Sequence, residues 1–148
     1  MVALVGKALR LHPSDKRLLL AAVGLLASVR LALCLIPFQA VRNILATVSA
    51  GKGGEHAADP AYIQRVAWAV ERASRCVPFA TCLPQALAAE CLLRRAGHPT
   101  QLRIGVAKDL DGQFLAHAWI ESDGRIVLGR LPNLSSYTVL KAHTSQLR

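Results

Sequence analysis

Thr81-Cys82-Leu83-Pro84-Gln85-Ala86-Leu87 opens the stretch that decides how this chain is read. It continues through a helix exit at Gly97 to a first strand, Leu102-Arg103-Ile104-Gly105-Val106. A second strand follows, Phe114-Leu115-Ala116-His117-Ala118-Trp119-Ile120-Glu121, and the stretch closes at Leu128. Thr81 can cap a helix, and Pro84 is tolerated in its first turn because the N–H it lacks would have had no intrahelical partner. Leu83, Leu87 and Cys91 then form one apolar stripe, widened by Ala86 and Leu93. Cys82 therefore stands at a helix mouth, where the positive end of the dipole favours a thiolate and free backbone N–H groups can receive an oxyanion. After Pro99 the apolar period changes to two, with Leu102, Ile104 and Val106 facing one way. Asp109-Leu110-Asp111-Gly112 and Ser122-Asp123-Gly124 read as turns, and Arg125 to Leu128 as a third strand. The expected fold is α+β, an antiparallel meander behind helices.

Upstream, Ser14 is the expected cap of a helix that starts near Asp15, runs through Leu18 to Leu35 and stops at Pro37. It is apolar nearly all round. A membrane span needs about 20 apolar residues, and Arg30 near its centre would cost roughly 2.5 to 3.5 kcal/mol. The uninterrupted part, Leu18 to Val29, is 12 residues (18 to 29), so burial against the domain or a partner is the expectation. Phe38, Val41, Ile44, Leu45 and Val48 mark a second helix, and Ser49 to Ala58, with three glycines, a linker. Asp59-Pro60 then caps a third helix, whose stripe is Ile63, Val66, Ala67, Val70 and Ala73 and which ends near Arg75. The division expected is an N-terminal helical segment and linker, residues 1–58, and a catalytic domain, residues 59–148.

The chain has 148 residues, 53% of them hydrophobic, and a formal charge of +9, which attracts acidic peptides, nucleic acid and anionic membranes alike. Basic residues are scattered over helices and aromatics are only 5%, so no nucleic-acid readout module is expected. The four cysteines, Cys34, Cys76, Cys82 and Cys91, have no zinc spacing, and no metal or cofactor is expected. Cys34 and Cys91 sit among leucines and read as small buried apolar residues. A reduced protein of the cytoplasm fits this usage, with membrane contact through the Leu18–Leu35 helix as its variant.

Cys82 and His117 are the candidate catalytic pair: a thiol nucleophile and an imidazole base on a strand. Ala116 and Ala118 flank His117 and leave room for the cysteine helix to pack close. Cys76 precedes Val77-Pro78 in a connector, and His12, His56, His98 and His143 fall in termini, the linker or a loop. A structural cysteine and an ordinary strand histidine are the plain alternatives.

Cys82-Leu83-Pro84-Gln85-Ala86-Leu87-Ala88, Leu92-Leu93-Arg94-Arg95-Ala96-Gly97, Leu102 to Val106 and Ala116-His117-Ala118-Trp119-Ile120-Glu121-Ser122-Asp123-Gly124, together with Leu35-Ile36-Pro37-Phe38, resemble the lasso-peptide biosynthesis B2 proteins. These are transglutaminase-like cysteine leader peptidases. The resemblance implies a transglutaminase-like, papain-like fold, in which N-terminal helices and a small antiparallel sheet pack on the catalytic-cysteine helix. It implies removal of the leader from a ribosomally made precursor peptide before an asparagine-synthetase-like lasso cyclase closes the macrolactam. Cys82 takes the nucleophile position and His117 the base position. Residues 1–58 do not resemble the leader-binding module fused to some members, so a separate leader-binding protein is implied.

The family's third residue, an acid about twelve positions after the histidine, falls on Gly129. A three-residue Ser122-Asp123-Gly124 turn would set Gly129 directly across from His117. Glu121 lies four residues on, about 13 Å away at strand rise, too far to touch the ring. A backbone carbonyl, a water or a residue from elsewhere is left to orient His117. The missing acid keeps two other readings open: a non-catalytic adaptor of a peptide-maturation complex at the membrane, and an acyltransferase using the same thiol.

Overall fold

The computed structural model describes residues 12–50 and 59–140. Helix α1, Pro13–Leu35, begins two residues earlier than Ser14 suggested: His12 is the cap, its ring accepting from the Ser14 N–H, because Pro13 is preorganised for the first helical position. Asp15 in that first turn accepts a hydrogen bond from Arg65 Nε at 2.8 Å. Helix α2 spans Phe38–Ser49. Residues 51–58 of the expected linker lie outside the described residues. Helix α3, Pro60–Ser74, is capped by the Asp59 carboxylate, which accepts from the Ala61 N–H at 3.0 Å. Its buried stripe is Ile63, Val66, Ala69, Val70 and Ala73.

Helix α4, Cys82–Arg95, is the central element: Pro84, every residue from Ala86 to Cys91, and Leu93 are buried. Small residues at 86, 88 and 89 let neighbours approach from several sides, and α1, α2, α3, β1 and β2 all pack against it. The sheet is antiparallel, with order β3-β2-β1-β4. Strand β1 is Gln101–Lys108, β2 Phe114–Ser122, β3 Arg125–Leu128 and β4 Thr138–Val139. The meander of three strands is as the sequence suggests; β4, which returns to pair with Gly105 and Val106, is an addition.

One buried core runs from Ala22, Leu26 and Val29 of α1 through Val41, the α3 stripe and α4 to Leu102, Ala118, Ile120 and Leu128 of the sheet. It crosses residue 58, so α1 and α2 contribute to the same core as the segment that follows. α1 is long and apolar enough to cross a membrane, at a mean hydropathy of 2.4. One of its faces is in the core, while Leu20, Leu31 and Leu35 are exposed. Cys34 is exposed, against the buried position expected of it, because it lies on that outer face; Cys91 is buried.

Candidate active site

Cys82 is the first residue of α4 and is half-buried, with its side chain against the core. Thr81 caps by position only: its backbone is extended, but its hydroxyl makes no capping bond. Its carbonyl accepts from the Gln85 N–H at 3.3 Å, closing the first turn. Pro84 has no N–H, so the donors at the mouth are those of Cys82 and Leu83, which the helix itself cannot use. The Gln85 side chain turns back and donates from Nε2 to the Ala80 carbonyl at 2.7 Å, fixing the segment that leads into Cys82.

His117 is half-buried on β2, opposite Gly105 of β1. Its Nε2 donates to the Gly129 carbonyl at 2.7 Å. In the neutral ring that bond places the proton on Nε2 and leaves Nδ1 as an acceptor. The ring stacks on Trp119, with centroids 6.2 Å apart and an interplanar angle of 17°, and meets Tyr137 at 6.0 Å. Trp119 Nε1 donates to Glu121 Oε1 at 2.9 Å, and Arg103 Nε donates to Glu121 Oε2 at 3.1 Å. Glu121 therefore does not touch His117, as its spacing predicts; it holds the indole on which the imidazole rests. Gly105 makes this stack possible, because a Cβ there would lie 2.9 Å from the Trp119 ring and 3.1 Å from Tyr137 Cβ.

The β2–β3 register differs from the expected one. The turn has two residues, Asp123 and Gly124, both at positive φ, with Ser122 paired to Arg125. A bulge then shifts the pairing from Glu121↔Ile126 to Ile120↔Leu128. Gly129 consequently lies just past β3 beside the Trp119 backbone and not directly across from His117. Its φ is +84°, and a Cβ would stand 2.9 Å from the Ala118 carbonyl oxygen and from Trp119 Cβ. A side chain of any kind is excluded there by backbone as well as by conformation. The acceptor that orients the imidazole comes from the peptide unit itself.

Cys82 and His117 are on packed neighbours, since α4 lies along β2, but no hydrogen bond joins Cys82 Sγ to the ring. Alternation along β2 turns Ala118 and Ile120 into the helical core and His117, Trp119 and Glu121 to the other face. Of the two alanines expected to admit the helix, only Ala118 meets the core; Ala116 is exposed. Cys76 is exposed in its connector. His98 lies in a loop, as expected, but is buried there and stacked on Tyr62 at 5.2 Å. Only tertiary contact between α3 and the α4 exit creates that pair. His56 and His143 lie outside the described residues. Burial raises the Tyr62 phenol, which nearby Arg65 partly lowers. Burial likewise raises the Cys91 thiol, with Arg95 lowering it and Glu90 raising it. Among the described residues no group of three His, Cys, Asp or Glu side chains could hold a metal ion.

The profile of the Transglutaminase-like superfamily matches residues 25–142. That span takes in half of α1, the helix mouth, His117 and Gly129. No curated protein and no solved structure gives a significant match. The superfamily includes cysteine peptidases and acyltransferases built on a cysteine-protease-like fold. With four α-helices among the described residues, one of them central, and a small antiparallel sheet packed on it, this chain belongs to the transglutaminase-like superfamily.

Proposed function

We propose that the chain is a cysteine peptidase that removes the leader from a ribosomally made lasso-peptide precursor before a partner cyclase closes the macrolactam. The observation that carries this reading is the Nε2 bond from His117 to Gly129, which presents Nδ1 as the proton acceptor. Cys82 Sγ gives its proton to Nδ1 and attacks the scissile carbonyl, and the Cys82 and Leu83 N–H groups receive the oxyanion. The imidazolium returns the proton to the departing amine, and water then hydrolyses the thioester. In this scheme substrate binding must also bring thiol and ring together, because alternation along β2 turns His117 away from the core against which Cys82 packs. A neutral acceptor in place of a carboxylate stabilises the imidazolium less, by about 1–2 kcal/mol, from the difference between hydrogen bonds to neutral and to charged groups.

The precursor peptide, a separate leader-binding protein and the asparagine-synthetase-like cyclase are the partners in this reading. The +9 charge and the outer face of α1 are the surfaces offered to them or to a membrane. Cleavage of the precursor should be slow with the purified chain alone and much faster with the leader-binding protein added. Cys82→Ala and His117→Ala should each stop it while remaining folded; full turnover by either variant would sink the assignment. The second reading, a non-catalytic adaptor, is favoured by the absence of a Cys82–His117 hydrogen bond and by the glycine at 129. It predicts that no cysteine reacts with iodoacetamide faster than a free thiol at neutral pH. Acyl transfer to an amine uses the same groups, and product masses separate it from hydrolysis.

A further inference from the structure

We propose that Phe79, three residues before Cys82, is a specificity-determining residue whose ring receives an apolar side chain of the peptide substrate beside the scissile bond. The inference rests on the peptidase reading above. Phe79 has φ of 58° in the left-handed region and is 77% exposed. A bulky side chain is rare in that conformation, and a glycine would hold the same turn without strain. Nor does burial in the core account for the ring, since most of it faces solvent.

The segment around it is fastened all the same. The Phe79 carbonyl accepts from the Thr81 N–H at 2.9 Å and from Arg30 Nε at 3.2 Å. The Arg30 guanidinium also stands over the ring, 5.8 Å from its centroid. The next carbonyl, of Ala80, is held by Gln85 at 2.7 Å. Two side chains from two helices thus fix an unfavourable backbone so that an aromatic ring stands in water. Three residues span at most about 11 Å, so the ring lies within reach of a substrate residue two or three positions from the bond that Cys82 attacks. An apolar substrate side chain laid on that face gains the hydrophobic contact the ring lacks.

The test compares second-order alkylation of Cys82, followed by peptide mass spectrometry, with two probes: iodoacetamide and acetyl-leucyl-leucyl chloromethyl ketone. In Phe79→Gly the ratio of the apolar to the small-probe rate should fall about tenfold, the effect of losing one apolar contact of about 1.4 kcal/mol. In Phe79→Tyr, which keeps the ring, the ratio should be retained. Thermal unfolding of Phe79→Gly should not occur at a lower temperature than in the parent, because the glycine relieves the positive φ. An unchanged ratio in Phe79→Gly, or an equal fall in both variants, overturns the inference and leaves the peptidase reading standing. If Cys82 of the parent reacts no faster than a free thiol with either probe, the peptidase reading itself fails and takes this one with it.

Discussion

Replacing Gly129 tests whether a backbone carbonyl has taken over the task of the missing acid. With φ at +84°, any L residue there adopts the left-handed conformation at a cost of about 1–2 kcal/mol. Its Cβ meets the Ala118 carbonyl oxygen at 2.9 Å, Trp119 Cβ at 2.9 Å and Trp119 Cα at 3.0 Å. Two of those three atoms are backbone and cannot swing aside, so overpacking adds about 1–3 kcal/mol. Gly129→Ala should thus destabilise by roughly 2–5 kcal/mol, a fall in Tm on the order of 10 °C for a chain of this size. The shift that relieves the clash also moves the carbonyl 2.7 Å from His117 Nε2, so the ring loses its fixed tautomer. Gly129→Asp introduces the acid that the resemblance to the B2 proteins leads one to expect there, yet it meets the same walls and should be no more active than Gly129→Ala. Thermal unfolding by circular dichroism gives the stability, and nitrogen NMR of the His117 ring reports the tautomer. A Gly129→Asp protein that is as stable as the parent and cleaves precursor faster would refute this reasoning.

Two further outcomes follow from other contacts. Glu121→Ala leaves the Trp119 N–H of a residue 3% exposed without its acceptor and should cost about 1–3 kcal/mol in urea denaturation. Glu121→Gln keeps an acceptor and loses only the partly exposed Arg103 pair, worth less than about 1 kcal/mol; equal effects of the two would contradict this division. Cys91 and Tyr62 both have raised pKa values in the fold, so the unfolded chain releases their protons first. Their contribution is complete below the unfolded values, about 8.5 for a thiol and about 10 for a phenol, and is lost as pH rises through the folded ones. Combining Cys91→Ala with Tyr62→Phe should flatten the alkaline decline of Tm, and parallel declines in parent and variant would exclude these groups as its source.

Side-chain identity and spacing alone determined the helices and the three-stranded meander. Asp59-Pro60 starts α3 because a carboxylate accepts from a first-turn N–H and proline fits the next position. Cys82 could be placed at a helix mouth because Thr81 can cap, Pro84 fits a first turn, and Leu83, Leu87 and Cys91 form one stripe beyond. The lack of an acid at 129 was equally plain. What holds His117 was not, since one of the acceptors left open was a backbone carbonyl, and every residue carries one. Which carbonyl serves is decided by register, and the register turned on Asp123 and Gly124 both adopting positive φ and on a bulge beyond them. Tertiary packing likewise separated Cys34 from Cys91, chemically alike and both among leucines, by giving α1 one buried face and α4 nearly none exposed. It brought His98 onto Tyr62 and Arg30 onto Phe79, contacts between residues too far apart in sequence for periodicity to report. Local sequence fixes what a short segment can do with its own backbone; the remainder depends on which distant segment comes to lie against it.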